Sequence, residues 1–259
     1  MGNRKTMVTN DIEKVKVILY KTNGEILTDV TDNKSVVDFL ASVMNFAPIE
    51  KKEAKISNSD DLLYVDLGLP SGLKWAKCNV GAKKETDYGD YFMWGSAKPN
   101  TTDECAWKNY KHGDGFNFSK YNTLLYDIGG TIDNKATLDI DDDAAAQIMG
   151  GKWRMPTEAE IQELIDNTDS EWVEDFNGSG VNGGKLTSKA NGNSIFIPAA
   201  GYRSVSSFYH QGSYGYVWSS SLNASAPNFA WGLSFDSNGI YADYYDFRDY
   251  GHVVRGVMD

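Results

Sequence analysis

The sequence predicts an α+β fold, and three features point to it. Two short helical stretches, 142–149 and 157–165, are followed from Asn167 onward by strands and turns only. Beyond Leu62, Gly, Trp and Tyr become frequent and helical periodicity becomes rare. Phe229, Trp231, Leu233 and Phe235 alternate with Ala230, Gly232 and Ser234, the period-two pattern of a half-buried strand.

Residues 1–60 have a different texture. Val15, Val17 and Leu19 alternate with Lys14, Lys16 and Ile18, which predicts a strand. Asn23-Gly24 supplies hairpin turn chemistry, and 26–30 is the return strand. Ser35 can cap a helix reaching Met44, with Val36, Phe39, Leu40 and Val43 on one stripe. So small a ββα unit buries little alone and is expected to pack on a neighbour or to oligomerise. The charged stretch 51–61 is a linker. The expected domains are therefore 1–60, the small unit with its linker, and 61–259, the main domain.

In the main domain, 64–75 is predicted as strand, turn and strand, with Pro70-Ser71-Gly72 at the turn. Asp142–Met149 is a short helix with acidic residues at its positive end, stopped by Gly150-Gly151. Thr157 and Glu160 form a capping box directly after Pro156. Ile161, Leu164 and Ile165 make the buried stripe of the helix that follows. Strands are expected at 194–198, 216–219, 229–235 and 253–257.

The chain has 259 residues, 41% of them apolar, enough for one large domain or for a large domain plus a small one. A net charge of −11 disfavours a phosphate backbone as partner, so no nucleic acid is expected. No apolar run of about 18 residues is present, so no membrane span is expected. Met1–Asn10 is polar, so no secretory leader is visible. Cys78 and Cys105 make either one bridge or two buried thiols, and thiols are the expectation.

Chemistry-bearing motifs fail on inspection. Gly184-Lys185 would need a glycine at Ser179 and a hydroxyl at Leu186 to be a phosphate loop. Asp139, Asp141 and Asp143 open like a calcium loop, but Ala144 stands where glycine is needed and Gly150 where the bidentate glutamate belongs. His112, His210 and His252 are scattered, and no His/Cys pair has zinc spacing. No catalytic residue, metal ligand or cofactor is expected.

One compositional signal is strong. Residues 1–203 hold 20 Lys and 11 Glu, whereas 204–259 hold neither. At the upstream frequency roughly eight to nine would be expected there. The tail instead carries 7 Tyr, 10 Ser, 5 Asp and 4 Phe. Solvated strands normally use Lys and Glu for solubility, while Tyr, Ser, Gly and Asn are the residues of binding loops. Two clusters carry the signal. One is Ser204, Ser206, Ser207, Phe208, Tyr209 and His210, with Tyr214 and Tyr216. The other is Asp243, Tyr244, Tyr245, Asp246 and Phe247, with Asp249, Tyr250 and His252. Consecutive side chains alternate faces on an extended chain, so the run at 243–247 cannot all point inward. These residues are the candidate ligand-binding set, with the aspartates as a negative rim. Serine at Tyr244, Tyr245 and Phe247 together is expected to cost no more than roughly 1 kcal/mol if they are surface residues.

Five segments in order, 65–76, 150–160, 198–203, 217–221 and 251–257, resemble the major paralogous domain family of gut-type anaerobes and their phages, a C-type-lectin-like fold. The Arg154-Met-Pro-Thr-Glu-Ala-Glu160 segment is also similar to the formylglycine-generating enzymes, whose active-site cysteine has no counterpart after Cys105. The resemblance covers about 62–259 and implies two helices, short antiparallel strands and long loops. Within that fold the chain looks most like the variable proteins of diversity-generating retroelements. Their mutagenesis of template adenines turns Asn codons into Tyr, Asp, Ser, His, Phe, Val or Arg but never Lys, Glu, Gln, Met or Trp. By this resemblance Trp218, Ser219–Ser221, Trp231, Leu233, Phe235, Arg255 and Val257 are scaffold, as is Gln211, and the two clusters vary. The resemblance implies receptor binding to a macromolecular, protein partner, on a phage virion or bacterial surface. Homo-oligomerisation would run through the N-terminal unit. The competing expectations are a non-variable adhesin or structural subunit of the same fold, and a formylglycine-generating-like oxidase.

Overall fold

The computed structural model describes strands within 7–29, then residues 63–123 and 129–259. The chain divides into two compact units, Met1–Ile56 and Ser57–Asp259. In the first, β1 (Met7–Asp11), β2 (Lys14–Tyr20) and β3 (Ile26–Asp29) form an antiparallel sheet in that order. The expected hairpin is β2–β3. β1 carries only Met7 and Val8 as apolar residues, too few for a periodic signal. The helix expected at 35–44 and the linker at 51–61 lie outside the described residues.

The second unit is mixed α+β, mostly strands with two helices, and has no closed barrel among the described residues. β4 (Tyr64–Asp66) and β5 (Lys74–Asn79) form the expected hairpin, its turn closed by the Gly72 N–H donating to the Leu69 carbonyl at 2.9 Å. Next come β6 (Tyr91–Phe92) and the short parallel pair β7 (Asn117–Phe118) and β8 (Gly129–Gly130). After the helices, β9 (Thr168–Val173), β10 (Gly183–Ser188) and β11 (Ser194–Pro198) form an antiparallel sheet. β12 (Tyr202–Ser204) and β13 (Ser207–Tyr209) form a hairpin. The rest are β14 (Gly215–Leu222), β15 (Phe229–Asp236), β16 (Gly239–Phe247), β17 (His252–Val253) and β18 (Arg255–Met258). The main sheet runs β16-β15-β14-β17-β6, and β18 returns to pair with β5.

The helices are Ala144–Met149 and Glu158–Asp166. One polar staple joins them. Asp143 caps the first by accepting from the Ala146 N–H at 2.9 Å, and its other oxygen accepts from the Met155 N–H at 2.8 Å. Arg154 donates to both Glu160 oxygens at 2.7 and 2.6 Å, and Glu160 also accepts from the Thr157 N–H at 2.7 Å, completing the predicted capping box. Arg154 further bridges to Val257, which ties the staple to the last strand.

β14 has apolar packing on both faces. Val217 joins Ile161, Leu164, Leu233 and Phe235 in one core cluster, while Trp218 joins Phe92, Trp94, Tyr121 and Met155 in another. Two arginines, Arg248 and Arg255, are fully buried without a carboxylate partner. Arg255 donates to Asn79 Oδ1 (2.8 Å) and to the carbonyls of Ala76, Lys77 and Phe196. Arg248 donates to Tyr110 Oη (2.8 Å) and to the carbonyls of Tyr121, Pro227 and Lys120, with its guanidinium 4.4 Å from the Phe118 ring centre. Carbonyls of β5 and β11 thus satisfy Arg255 and loop carbonyls satisfy Arg248, so each buried charge is hydrogen-bonded. Cys78 and Cys105 are free thiols, as expected.

Strands β9, β10, β12, β13 and β16 were not anticipated. β9 (TDSEWV) and β13 (SFY) are polar or exposed and lack alternation, and register with a neighbour defines them. A 3-10 turn at Phe176–Gly178 also interrupts the strands expected after Asn167.

Candidate functional site

The first candidate cluster lies on the β12–β13 hairpin and the loop after it. Ser206, Ser207, Phe208, Tyr209 and His210 are exposed there, and Tyr214 is half-buried. The hairpin loop is Val205-Ser206, and Val205 has φ +49°. His210, closing the hairpin, has φ +59°. Two-residue hairpin loops prefer Asn-Gly because left-handed backbone is required, and a β-branched residue is the poorest choice for it.

The second cluster lies mostly on β16, an edge strand. Its register on β15 pairs Tyr244 with Gly232, Tyr245 with Trp231, Asp246 with Ala230 and Phe247 with Phe229. Opposed residues share a face and neighbours alternate. The run at 243–247, expected not to point wholly inward, is thus divided between two faces. Tyr245 and Phe247 pack against Trp231 and Phe229, with Tyr245 edge-on to Trp231 at 5.2 Å and Phe247 stacked on Phe229 at 4.3 Å. Tyr244 and Asp246 turn to the other face, toward the first cluster.

There the two clusters meet around Tyr202. Its ring stacks on Tyr209 at 5.0 Å and on Tyr250 at 5.3 Å, and stands edge-on to Tyr216 at 5.5 Å. Tyr216 lies 5.1 Å from Tyr244 and 6.1 Å from Tyr214. Beside this group Arg203 lies between the rings of Tyr91 and Phe208, 4.3 and 4.6 Å from their centres. Sequence reasoning missed Tyr202 because it precedes the Lys- and Glu-free tail by two positions. Exposed Tyr241 was also missed.

Asp246 lies beneath the tyrosines. One oxygen accepts from Tyr244 Oη at 2.5 Å and is 3.2 Å from His252 Nε2; the other accepts from the Phe247 N–H at 2.9 Å. Burial pushes its pKa up, but the His252 contact and these hydrogen bonds outweigh burial and hold it below the usual carboxylate range. Burial and the Asp246 charge push the Tyr244 phenol far up. Burial, then the neighbouring Tyr202 and Asp246, put Tyr216 at about 12. Tyr202 and Tyr250 are raised by burial first and feel Asp246 as well.

Four selected residues lie under the surface rather than on it. Tyr216 is buried because β14 is central and rings cover it from both sides. His252 is fully buried in β17 between β14 and β6, stacked on Trp218 at 3.9 Å, and its Nδ1 has no hydrogen-bond partner. Ser204 is buried at the end of β12, where it bonds Tyr250. Asp249 is buried in the turn after β16 beside the Trp107 backbone, with Oδ1 unpartnered; burial, then the Asp246 charge, raises it to about 6. The scaffold assignments fare differently. Trp218, Ser219, Ser220, Leu233, Phe235, Arg255 and Val257 are all buried. Trp231 and Ser221 are half-buried. Gln211 is exposed, with its amide 3.3 Å from Tyr91 Oη.

Two clefts lie elsewhere. One of about 450 Å³ is lined by 76–85 with Leu63 and Met149, and one of about 180 Å³ lies between Trp172 and Ile240. Neither contains a selected residue. Among the described residues no group of three His, Cys, Asp or Glu is placed to hold a metal, and no helix is long and apolar enough to cross a membrane. The arrangement is a surface of stacked phenols over a carboxylate.

Residues 68–258 match the family described as the Lcl C-terminal domain. No curated protein and no solved structure matches the chain.

Proposed function

The chain belongs to the Lcl C-terminal domain family, a C-type-lectin-like domain family, and from that premise we propose that it is a binding protein whose tyrosine surface is diversified by a retroelement. The observation that carries the reading is the left-handed backbone at Val205 and His210. Among L-residues, Asn and Asp tolerate that conformation best. Valine and histidine are both reachable from an Asn codon by changes at adenines alone. A template asparagine fits the backbone, and its replacements occupy it under strain. Strain retained at an exposed loop belongs with function.

Burial supports the same division. Most residues assigned to the scaffold are buried, exposed Gln211 and half-buried Trp231 and Ser221 excepted, and Ser206–His210, Asp243 and Tyr245 face solvent. Binding rather than catalysis is supported by Cys105, which is buried with its thiol pushed up to about 12, so the thiolate is disfavoured. The setting we propose is a phage virion or bacterial surface with a protein receptor, the N-terminal unit attaching or oligomerising the display unit.

The test is deep sequencing of this gene and its flanks in a growing population. The expected result is variation concentrated at adenine-templated codons for 205–210, 243 and 245, and none at Trp218 or Arg255. Variation spread evenly, or absent with no adenine-matched repeat nearby, would overturn the retroelement reading in favour of a constant adhesin.

A further inference from the structure

The molecule contains the same polar pair twice, once complete and once missing a member. At the first place the Tyr121 hydroxyl donates to the buried Asp142 carboxylate at 2.6 Å, and Lys120 completes the set. Its ammonium is 2.5 Å from the same carboxylate and 4.8 Å from the centre of the Tyr121 ring. Lys111 adds a second cation to Asp142. At the second place Tyr244 donates to Asp246 at 2.5 Å, but among the described residues no lysine or arginine pairs with that carboxylate. Among the described residues the basic side chain that approaches it is His252, with Nε2 at 3.2 Å.

Further facts bear on the Asp246 carboxylate. Asp142 is sealed, with 2% of its side chain exposed, whereas Asp246 keeps 14% and is reachable from solvent. A carboxylate has about four lone-pair sites, and the three contacts to Asp246 leave one open. Tyr202, Tyr216, Tyr244 and Tyr250 all feel the Asp246 charge; Tyr202 is stacked on both faces, and phenol rings attract cations to their faces. Asp236, hydrogen-bonded to Tyr214 and acting on Tyr216, adds a further carboxylate, and 204–259 contributes no lysine to offset it. Next door, Arg203 between Tyr91 and Phe208 already shows a guanidinium between aromatic rings.

We propose that the Tyr202–Tyr250–Tyr244 surface receives an arginine or lysine side chain from a protein partner, its cation over the phenol rings and paired with Asp246. This rests on the reading of the surface as a binding site, and it adds the partner's chemistry. Charge complementarity of this kind sets partner choice and encounter rate.

The test uses the full chain and two small probes, N-acetylarginine amide and its neutral isostere N-acetylcitrulline amide, titrated by NMR at 150 mM salt. The expected result is saturable binding of the arginine probe that shifts the Tyr202, Tyr244 and Tyr250 ring signals. The citrulline probe should bind at least tenfold more weakly. Asp246→Asn should lose at least tenfold, and the remote Asp169→Asn should lose nothing. Equal binding of the two probes, equal losses from both variants, or no ring shifts would overturn the proposal. Should Asp246→Asn fail to fold, the probe comparison on the unaltered chain decides it. These measurements are independent of codon variation, so this proposal and the retroelement reading can fail separately.

Discussion

Val205 gives the sharpest residue-scale statement. A β-branched side chain at φ +49° is a steric outlier, and strained backbone of this kind costs on the order of 1–3 kcal/mol. The side chain is 64% exposed, so little packing offsets that cost. Val205→Asn is therefore expected to stabilise the protein by about 1 kcal/mol, read as a higher urea midpoint at an unchanged slope. An unchanged midpoint would show that the loop relaxes around valine at no cost. None of this was legible in the sequence. Val205-Ser206 carries no turn signature, so composition could flag the segment as a contact loop but could not reveal its backbone. The buried arginines were half legible. Arg255 was assigned to the scaffold through family resemblance, but its partners lie on β5 and β11, strands far away in the chain, and local sequence carries no information about those.

At the scale of an element, β16 shows what alternation decides and what it leaves open. The sequence argument was that the run at 243–247 cannot all point inward, and the strand divides it between two faces. Which of them joins the tyrosine surface depends on pairing with β15, which has a bulge between Gly232 and Ser234 that no local pattern announces. The uniform tolerance first expected for the three serine substitutions is accordingly replaced by a split. Tyr245 is half-exposed at the sheet edge, so Tyr245→Ser should cost less than about 1 kcal/mol. Tyr244→Ser removes the hydroxyl at 2.5 Å from Asp246 and leaves a mostly buried charge short of a donor, a cost of about 1–3 kcal/mol. Tyr244→Phe should recover the packing but not that penalty. Thermal unfolding of the three variants checks the order, and equal losses for Tyr244→Ser and Tyr245→Ser would contradict the assignment of faces. The helices were read more fully from sequence because their determinants are local. Thr157, Glu160 and the Gly150-Gly151 stop all act within one turn of the helix they bound.

Across the whole molecule, stability depends on buried titrating groups that tie the long loops to the sheet, and their signs set its response to acid. His112 is buried 3.5 Å from Asp142. Burial pushes its pKa down to about 4; the Asp142 charge opposes this, and Lys111, Arg248 and Lys120 add to it. The folded value is below the unfolded one near 6.5, so as pH falls from 6.5 toward 4 the unfolded chain takes up this proton first and stability declines. Discounted for solvent screening, the effect is on the order of 1–2 kcal/mol. Asp142 acts in the next window. Burial would raise it, but hydrogen bonds from Lys111, Lys120 and Tyr121 hold it well below the usual carboxylate range. Its contribution is present above about pH 4 and is lost as pH falls further through the folded value. Asp249 runs the other way. Raised to about 6, it stabilises at low pH, and that contribution disappears as pH rises through 6. Comparing His112→Gln with the parent cancels Asp249, which both chains share. Between pH 7 and pH 5 the urea midpoint of the parent should fall further than that of His112→Gln, by the 1–2 kcal/mol given above. Parallel pH profiles for the two proteins would mean that His112 is already free to protonate in the folded state, and that the packing of Tyr110 and Tyr121 against its ring does not seal it.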